Sequence, residues 1–168
     1  THLSQDVLNF AKVREPKRET VDLKAFLEAI LEPMVPRAAE LGVQLRAEGP
    51  SCLVKIDPGR FTRVMENIMA NALDATTDMS GEVTIAWSQV TGGVQIRVKD
   101  RGHGIPRKVL KRIFEPFFTT KPVGKGTGLG LSISYGIVEQ HGGRLTAANA
   151  PGGGAEFVLE LPAAAPPG

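Results

Sequence analysis

One long amphipathic segment, which begins at Asp57-Pro58, constrains the fold more than any other feature of the sequence. Its apolar residues follow the spacing i, i+3, i+4, i+7, i+8 and i+11: they are Phe61, Val64, Met65, Ile68, Met69 and Ala72. This spacing places all of them on one face of an α-helix. The sequence therefore predicts a helix that lies across a hydrophobic core.

Runs of β-branched and alternating apolar residues predict six strands around this helix. They cover residues 43–46, 52–56, 83–90, 94–98, 145–148 and 156–161, and turn residues separate them. The sequence at 91–93 predicts a hairpin between the third and fourth strands, and the Pro- and Gly-rich sequence at 151–154 predicts the turn between the last two. Asp22 is a candidate N-cap for a helix at 23–34, and a further buried helix is predicted at 129–140. These elements predict an α/β fold with one mixed, mostly antiparallel sheet and helices on one face.

The length of 168 residues fits one domain with short appendages. A heptad-like apolar stripe predicts the end of a bundle helix at 1–15, and the charged stretch around Pro16 predicts a linker at 16–21. The domain itself is expected at 22–162, and the Pro- and Ala-rich residues 163–168 are expected to form a disordered tail. Because the first residue is Thr1 rather than methionine, we expect a longer parent chain.

Composition excludes several classes of function. The formal net charge of +2 is too small for the basic footprint of a nucleic-acid-binding protein. Cys52 is the one cysteine, which excludes an internal disulfide and favours a reducing compartment. No apolar run approaches the roughly 18 residues that a membrane-spanning helix needs. We therefore expect no nucleic acid partner, no membrane contact by these residues and a cytoplasmic location, even if the parent is anchored in a membrane.

Three polar side chains, Asn67, Asn71 and Asp74, lie together on the polar face of the predicted helix. Asparagine is a poorer helix former than the Lys and Glu that are typical of a solvated face. One interpretation is that these are tolerated surface side chains. The other is that neutral amide oxygens bind a hard cation such as Mg²⁺ beside phosphate groups, since that ion prefers oxygen ligands.

A second candidate site follows the strand at 94–98, where residues 100–106 read Asp-Arg-Gly-His-Gly-Ile-Pro. Gly102 and Gly104 allow the backbone to approach a planar ligand closely. Asp100 can accept a hydrogen bond from an exocyclic amine such as adenine N6. Taken alone, the same residues are equally typical of an ordinary turn.

Two further segments precede the helix predicted at 129–140. Residues 114–121 contain three of the seven phenylalanines, which is typical of a hydrophobic anchor for a long loop and compatible with a lid. The next segment enters the helix directly and consists of Gly124, Lys125, Gly126, Thr127, Gly128, Leu129, Gly130 and Leu131. Backbone N–H groups at a helix N-terminus bind anions, so this segment predicts a polyphosphate site with Lys125 as an added positive charge. It is not a P-loop, because Gly126 stands where Ser or Thr is required, and no glycines fit G-x-G-x-x-G.

Together, the four segments resemble the N, G1, F and G2 boxes of sensor histidine kinases, in the same order and with approximately the same spacing. The resemblance covers residues 26–162. It implies the Bergerat fold, an α/β two-layer sandwich with a long ATP lid that gyrase-type ATPases and heat-shock chaperones of the same superfamily share. The sequences at 71–75 and 134–143 are similar to those of the NtrB-like subgroup.

The resemblance implies a role for each box. Asn71 would bind Mg²⁺ with help from Asn67, Asp100 would bind adenine, and the glycines would line the adenine pocket and shape the lid. The residues implied in nucleotide binding are Asn67, Asn71, Asp100, Gly102, Gly104, Ile105, Phe114, Lys121 and the eight residues 124–131. Asn67 and Lys125 are the implied catalytic residues. Many family members carry a basic residue where Asp74 stands, so Lys125 is expected to supply more of the positive charge.

The implied activity is transfer of the ATP γ-phosphoryl group to a histidine of a dimerisation and phosphotransfer domain, followed by relay to a response regulator. Residues 1–15 resemble the end of the second helix of that domain. The acceptor box His-Glu/Asp-x-x-Asn-Pro is absent from the sequence. These 168 residues are therefore expected to be monomeric and to lack the phosphorylated histidine, whereas the parent is expected to be a homodimer.

Two other functions stay open. One is a hydrolytic ATPase of the same superfamily, in which the resemblance places a glutamate at the position of Asn67 to activate water. Glu66 is next in sequence, but one helical step of about 100° aims it elsewhere. The other is a nucleotide-binding module without catalysis that acts only by docking on a partner.

The three histidines have ordinary interpretations. His2 is expected on the surface of a helical bundle, and His103 is expected to be a variable loop side chain. His141 precedes the Gly142-Gly143 helix stop, where a histidine interacts favourably with the helix dipole.

Overall fold

The computed structural model describes residues 16–76, 81–115, 130–151 and 153–162. Its strands are β1 (Glu19–Asp22), β2 (Gln44–Glu48), β3 (Leu53–Ile56), β4 (Glu82–Val90), β5 (Gly93–Asp100), β6 (Arg144–Asn149) and β7 (Ala155–Pro162). Its α-helices are α1 (Leu23–Leu31), α2 (Val35–Glu40), α3 (Pro58–Thr76), α4 (Arg107–Leu110) and α5 (Gly130–Gln140), with a 3-10 turn at Glu32–Met34. The predicted α/β class is confirmed.

Five strands form the main sheet, in the order β2-β4-β5-β7-β6. β2 runs parallel to β4, and the other three neighbouring pairs are antiparallel, as the prediction of a mixed, mostly antiparallel sheet requires. β4 and β5 form the predicted hairpin, in which Val90 pairs with Gly93 and Val83 pairs with Asp100. Asp100 therefore ends the middle strand of the sheet.

A second, two-stranded sheet corrects the linker that was predicted at 16–21. β1 is antiparallel to β3, with Val21 opposite Val54. Val54 is buried, and Val21 packs partly buried against the core. The last residues of the expected linker thus belong to the folded domain, because a short strand finds a partner that lies far along the chain. Asp22 then caps α1 as predicted, since its carboxylate accepts a hydrogen bond from the Lys24 N–H at 3.0 Å.

The apolar face of α3 forms the centre of the core. Phe61, Met65, Ile68 and Met69 are fully buried, and burial of a side chain of this size contributes about 1.5–3 kcal/mol. The helix begins where predicted, because the Asp57 carboxylate accepts a hydrogen bond from the Arg60 N–H at 3.2 Å. α3 packs against α5, β4 and β5, and α5 packs against β6. The two longest α-helices therefore lie side by side on the sheet.

Several predicted features lie outside the described residues: the helix end at 1–15, residues 116–129 of the long loop between β5 and α5, and the tail at 163–168. The described part of that loop contains α4, a one-turn helix that the sequence did not predict. Within the ranges that the structure describes, no helix is both long enough and apolar enough to cross a bilayer.

Candidate functional site

Asp100 is a buried carboxylate, 2% exposed, at the end of β5. Its Oδ1 atom accepts hydrogen bonds from the Gly102 N–H at 2.8 Å and from the Ala155 N–H at 3.1 Å. No hydrogen bond among the described residues uses its Oδ2 atom. The site thus holds a carboxylate by one oxygen and leaves the other with the capacity to accept a hydrogen bond, which fits an exocyclic amine.

The glycines after Asp100 allow the loop to pack closely. A Cβ atom on Gly102 would lie 2.2 Å from the Ala75 carbonyl oxygen, so any side chain there would push the loop away from α3. Gly104 has a φ of 77°, which is left-handed backbone that favours glycine. Ile105 packs partly buried against the core. The loop is therefore fixed against the C-terminal part of α3 and forms a shaped surface rather than a solvated turn.

Asn67 and Asn71 both turn their amide nitrogens toward the protein. The Asn67 Nδ2 atom donates to the Gly130 carbonyl oxygen at 3.2 Å and to the Ser134 hydroxyl at 3.4 Å. The Asn71 Nδ2 atom donates to the backbone oxygen of Asn67 at 2.9 Å. No partner for either Oδ1 atom is found in the described ranges, so both oxygens keep the capacity to bind a ligand. Two such amide oxygens one helical turn apart fit a hard cation.

One face of α3 connects these parts of the site. Asn67, Asn71 and Ala75 are four residues apart, so they lie above one another on the same face. Asn67 contacts Gly130 at the start of α5, and Ala75 contacts Gly102. At 1.5 Å per residue, Asn67 and Ala75 are about 12 Å apart along the helix. The face therefore runs from the candidate phosphate segment to the candidate adenine loop.

Only the end of the glycine-rich segment is described. Gly130 begins α5, and its carbonyl oxygen also accepts a hydrogen bond from the Ser134 hydroxyl at 2.9 Å. Leu131 packs partly buried against the core. The remaining predicted residues lie outside the described ranges: they are Lys121, Gly124, Lys125, Gly126, Thr127, Gly128 and Leu129.

Phe114 anchors the described end of the long loop. Its ring lies 5.2 Å from the Tyr135 ring on α5 and 6.4 Å from the Phe157 ring on β7, measured between centroids. Aromatic pairs at these distances are attractive beyond the area that they bury. The loop thus leaves the core beside α5, the helix that the glycine-rich segment enters.

Charges near the site favour an anion. Arg101, Arg107, Lys108 and Lys111 are exposed, and the sequence from 101 to 114 contains no Asp or Glu. A stretch of this charge attracts negative ligands and raises their local concentration.

The two acidic residues of α3, Glu66 and Asp74, are both exposed. Asn67, in contrast, is partly buried against the start of α5. The aim of Glu66 away from the site stays a prediction.

His141 has a larger role than an interaction with the end of α5. This side chain is 2% exposed, its Nδ1–H donates to the Ile137 carbonyl oxygen at 2.8 Å, and its Nε2 accepts from the Asp57 N–H at 2.9 Å. Burial lowers the pKa of His141, the Ile137 hydrogen bond opposes that shift, and the Arg18 charge adds to it. His141 is thus a neutral link between α5 and the start of α3, and not a cation at a helix end.

His103 is an exposed loop side chain, as predicted, and His2 lies outside the described ranges.

Sequence reasoning missed the contact between the β6–β7 turn and the loop that follows Asp100. Asn149 hydrogen-bonds both backbone groups of Ile105, and the N–H of Ala155 binds Asp100. A Cβ atom on Gly154 would lie 2.0 Å from the Asp100 carbonyl oxygen. The Pro- and Gly-rich sequence 151–154 predicted the turn itself, but no local signal shows which loop it touches.

The sequence is similar to known proteins over most of its length. Residues 56–165 match the family described as histidine kinase-, DNA gyrase B-, and HSP90-like ATPase. Sensor kinase CckA of Brucella abortus is 36% identical over 177 residues, which cover 95% of this chain and 18% of CckA. Sensor histidine kinase ZraS of Escherichia coli O157:H7 is 38% identical over 159 residues, which cover 94% of this chain and 34% of ZraS. The chain thus spans about a fifth to a third of the length of these curated relatives.

Solved structures share the fold. The nucleotide-free catalytic domain of histidine kinase ThkA has a TM-score of 0.80 and 29% identity, and the match covers 88% of this chain and 96% of that domain. Full-length ShkA in complex with AMPPNP has a TM-score of 0.85 and 33% identity over 98% of this chain and 36% of ShkA. ThkA in complex with the response regulator protein TrrA has a TM-score of 0.83 and 25% identity, over 97% of this chain and 47% of that one.

Proposed function

Because this chain belongs to the histidine kinase-, DNA gyrase B-, and HSP90-like ATPase family, we propose that it is the ATP-binding catalytic domain of a sensor histidine kinase. One observation carries the proposal. A single face of α3 brings the amide oxygens of Asn67 and Asn71 into line with the loop of Asp100. An amine acceptor at one end and two neutral oxygens at the other suit a nucleotide with a metal-bound phosphate chain.

Asp100 binds the adenine in this proposal, because two backbone N–H groups already hold its carboxylate in place. A carboxylate oxygen that is held in position loses little conformational freedom when it accepts a hydrogen bond, so little of the binding free energy is spent on ordering the side chain. Gly102, Gly104 and Ile105 line the same pocket. Support also comes from ShkA, a structural relative solved in complex with AMPPNP.

Asn71, helped by Asn67, holds Mg²⁺ in this proposal. When bound, Mg²⁺ neutralises charge on the transferring phosphoryl group. The chain itself contributes position: the Gly130 carbonyl oxygen holds the Asn67 amide, and the Asn67 backbone holds the Asn71 amide. In this proposal the two Oδ1 atoms face the metal. Lys125 and the glycines of 124–130 are proposed to bind the phosphates through a positive charge and backbone N–H groups.

The proposed reaction moves the ATP γ-phosphoryl group to an imidazole nitrogen of a separate phosphotransfer domain and leaves ADP. A kinase is favoured over a hydrolase of the same superfamily by the residue that stands where the resemblance places the glutamate of a hydrolase. Asn67 is an amide and cannot take a proton from water, whereas Glu66 is exposed. Positioning and charge neutralisation are what phosphoryl transfer mainly requires, and this arrangement supplies both.

The domain organisation follows from the same proposal. Residues 1–15 would end the second helix of the dimerisation and phosphotransfer domain, and the catalytic domain would begin at the first strand rather than after it. The partners are that domain, in a homodimeric parent, and a response regulator. Support comes from the multidomain length of CckA and ZraS and from the complex of ThkA with TrrA.

Calorimetry and labelling test the proposal together. The 168-residue chain is expected to bind ADP, and Mg²⁺ is expected to strengthen its affinity for ATP. Asn71→Ala should remove most of the Mg²⁺ effect while metal-free ADP binding changes little. With a phosphotransfer domain supplied separately, Asn71→Ala should slow histidine labelling by on the order of a hundredfold, which is typical of one lost charge-stabilising group.

Glu66→Gln is the matched control on the same helix, and it should change neither ATP affinity nor labelling. ATP hydrolysis that depends on Glu66 would instead favour the hydrolase. Absence of adenine-nucleotide binding at millimolar concentration would refute the proposal altogether. If binding persists but labelling fails at high domain concentration, where weak docking is overcome, the chain is a binding module without catalysis.

A further inference from the structure

The turn between β6 and β7 contacts both ends of the loop that begins at Asp100. Asn149 ends β6 and pairs with Ala155, the first residue of β7. The Asn149 Oδ1 atom accepts from the Ile105 N–H at 2.6 Å, and its Nδ2 atom donates to the Ile105 carbonyl oxygen at 2.7 Å. At the other end, the Ala155 N–H donates to the Asp100 carboxylate at 3.1 Å. One strand pair therefore holds the first and last residues of the loop.

The chemistry of this contact requires an amide. Asn149 uses its acceptor and its donor on the N–H and the carbonyl of the same residue, as a neighbouring strand would. The contact also depends on Gly104, because a Cβ atom there would lie 2.9 Å from the Asn149 Oδ1 atom. A side chain at that position, or loss of the amide, would let the loop move away from the turn.

We propose that Asn149 is a positioning residue for the adenine site: it holds Gly104 and Ile105 at a fixed distance from Asp100. The proposal rests on the function proposed above and names a residue that does not touch the nucleotide. Asn149 acts through the loop backbone, so its loss widens the pocket without removing a ligand contact.

If Asn149 had a purely structural role, its loss would weaken the hairpin of β6 and β7 and not the loop after Asp100. The hairpin of β6 and β7 is already held by its backbone ladder, which runs from Arg144 opposite Glu160 to Asn149 opposite Ala155. The Asn149 side chain is exposed, so it adds little apolar burial to the core. Its two hydrogen bonds go to the loop alone, and the loop is therefore the part that should respond.

The test compares Asn149→Ala and Asn149→Asp with the wild-type chain by calorimetry with ADP. Alanine removes both hydrogen bonds, and we expect roughly 5-fold to 20-fold weaker binding. Aspartate keeps the shape and the acceptor but turns an oxygen toward the Ile105 carbonyl, so it should weaken binding at least as much. The strengthening of ATP binding by Mg²⁺, taken as a ratio, should stay unchanged in both variants.

Amide hydrogen exchange gives a readout that is independent of nucleotide. The Ile105 amide should exchange faster in both Asn149 variants, at least several-fold in Asn149→Ala, while the Ala155 amide, bound to Asp100, should stay protected. Thr146→Ala is the matched control, because Thr146 is an exposed residue of the same strand. It should leave ADP affinity and both amides as they are in the wild type.

The outcomes separate the two proposals. If the wild-type chain binds no ADP, the proposed function fails and the role of Asn149 fails with it. If the wild type binds ADP and both variants bind it equally well, only the role of Asn149 is overturned, and a lowered melting temperature without a change in affinity has the same meaning. If Asn149→Ala does not fold, Asn149→Asp, which has the same size, decides the question.

Discussion

Protonation of His141 should weaken the folded state, because the structure uses this side chain in its neutral form. Its Nε2 atom accepts the Asp57 N–H, and its Nδ1–H donates to Ile137. The ring also lies edge-on to the Phe61 ring, at 5.5 Å between centroids. A proton on Nε2 would face the Asp57 N–H and break the link between the end of α5 and the start of α3.

The sign and size of the effect follow from the pKa. Burial lowers the pKa of folded His141 below its ordinary value of 6.5, so the unfolded chain binds the proton at higher pH than the folded chain does. Stability is therefore complete above about pH 6.5 and falls as the pH drops from there toward the pKa of the folded state. One proton gives a slope of at most about 1.4 kcal/mol per pH unit in this window.

Urea denaturation between pH 5 and pH 8 measures this slope. His141→Gln removes the titrating group, so the free energy of unfolding should lose the pH dependence that the wild type shows below about pH 6.5. At pH 7.5 the variant should be less stable by about 1–3 kcal/mol, because a buried N–H loses its partner. The pKa values of Asp22 and Asp57 lie below 3.8, so their contributions are lost only at more acidic pH.

His103→Gln is the control, because His103 is exposed. It should keep the wild-type slope. If His141→Gln also keeps the slope, or if stability rises as the pH falls through this window, the neutral link between α5 and α3 is refuted.

Two further variants test the adenine loop. Asp100→Asn should weaken ADP binding by about 1–3 kcal/mol, measured by calorimetry, because an amide nitrogen at Oδ2 would face the adenine amine as a second donor; equal affinity would place the adenine elsewhere. Gly102→Ala should lower stability by about 1–3 kcal/mol and weaken ADP binding, because its Cβ atom meets the Ala75 carbonyl oxygen at 2.2 Å. Gly136→Ala is its control in thermal melts: nothing lies within 4 Å of the added carbon on α5, so it should stabilise by about 0.5–1 kcal/mol, and an equal loss from both variants would contradict the argument.

Periodicity predicted the parts of the fold that local sequence determines. The apolar spacing of α3, the cap at Asp22 and the hairpin at 91–93 all depend on neighbours within a few residues, and each is present in the structure. The strand β1 was missed because its four residues gain stability only by pairing with β3, more than thirty residues later. Pairing of that kind leaves no periodic signal in a short charged segment.

The candidate site, like the fold, was predictable from the sequence only where neighbouring residues determine it. The sequence singled out Asp100 and the two asparagines of α3 because an acid after a strand and amides on a helix are unusual choices of residue. It did not predict the roles of His141 and Asn149, because each binds a backbone group that lies more than forty residues away in the chain: Asp57 for His141 and Ile105 for Asn149. Every residue type offers the same backbone carbonyl oxygen, and nearly every type the same N–H. A side chain that hydrogen-bonds to these groups therefore leaves no signal in the residue type of its partner.

The position of the site depends on α3 more than on any loop. The helix buries one face in the core, and its face with Asn67, Asn71 and Ala75 meets two separate segments, one at Gly130 and one at Gly102. A shift of α3 along its axis would therefore move both contacts together. Because the apolar face of the helix is fully buried, such a shift would cost packing at several side chains at once. The packing that stabilises the fold thus also fixes the distance between the two ends of the site. The loops that complete the site do not have to set this distance themselves.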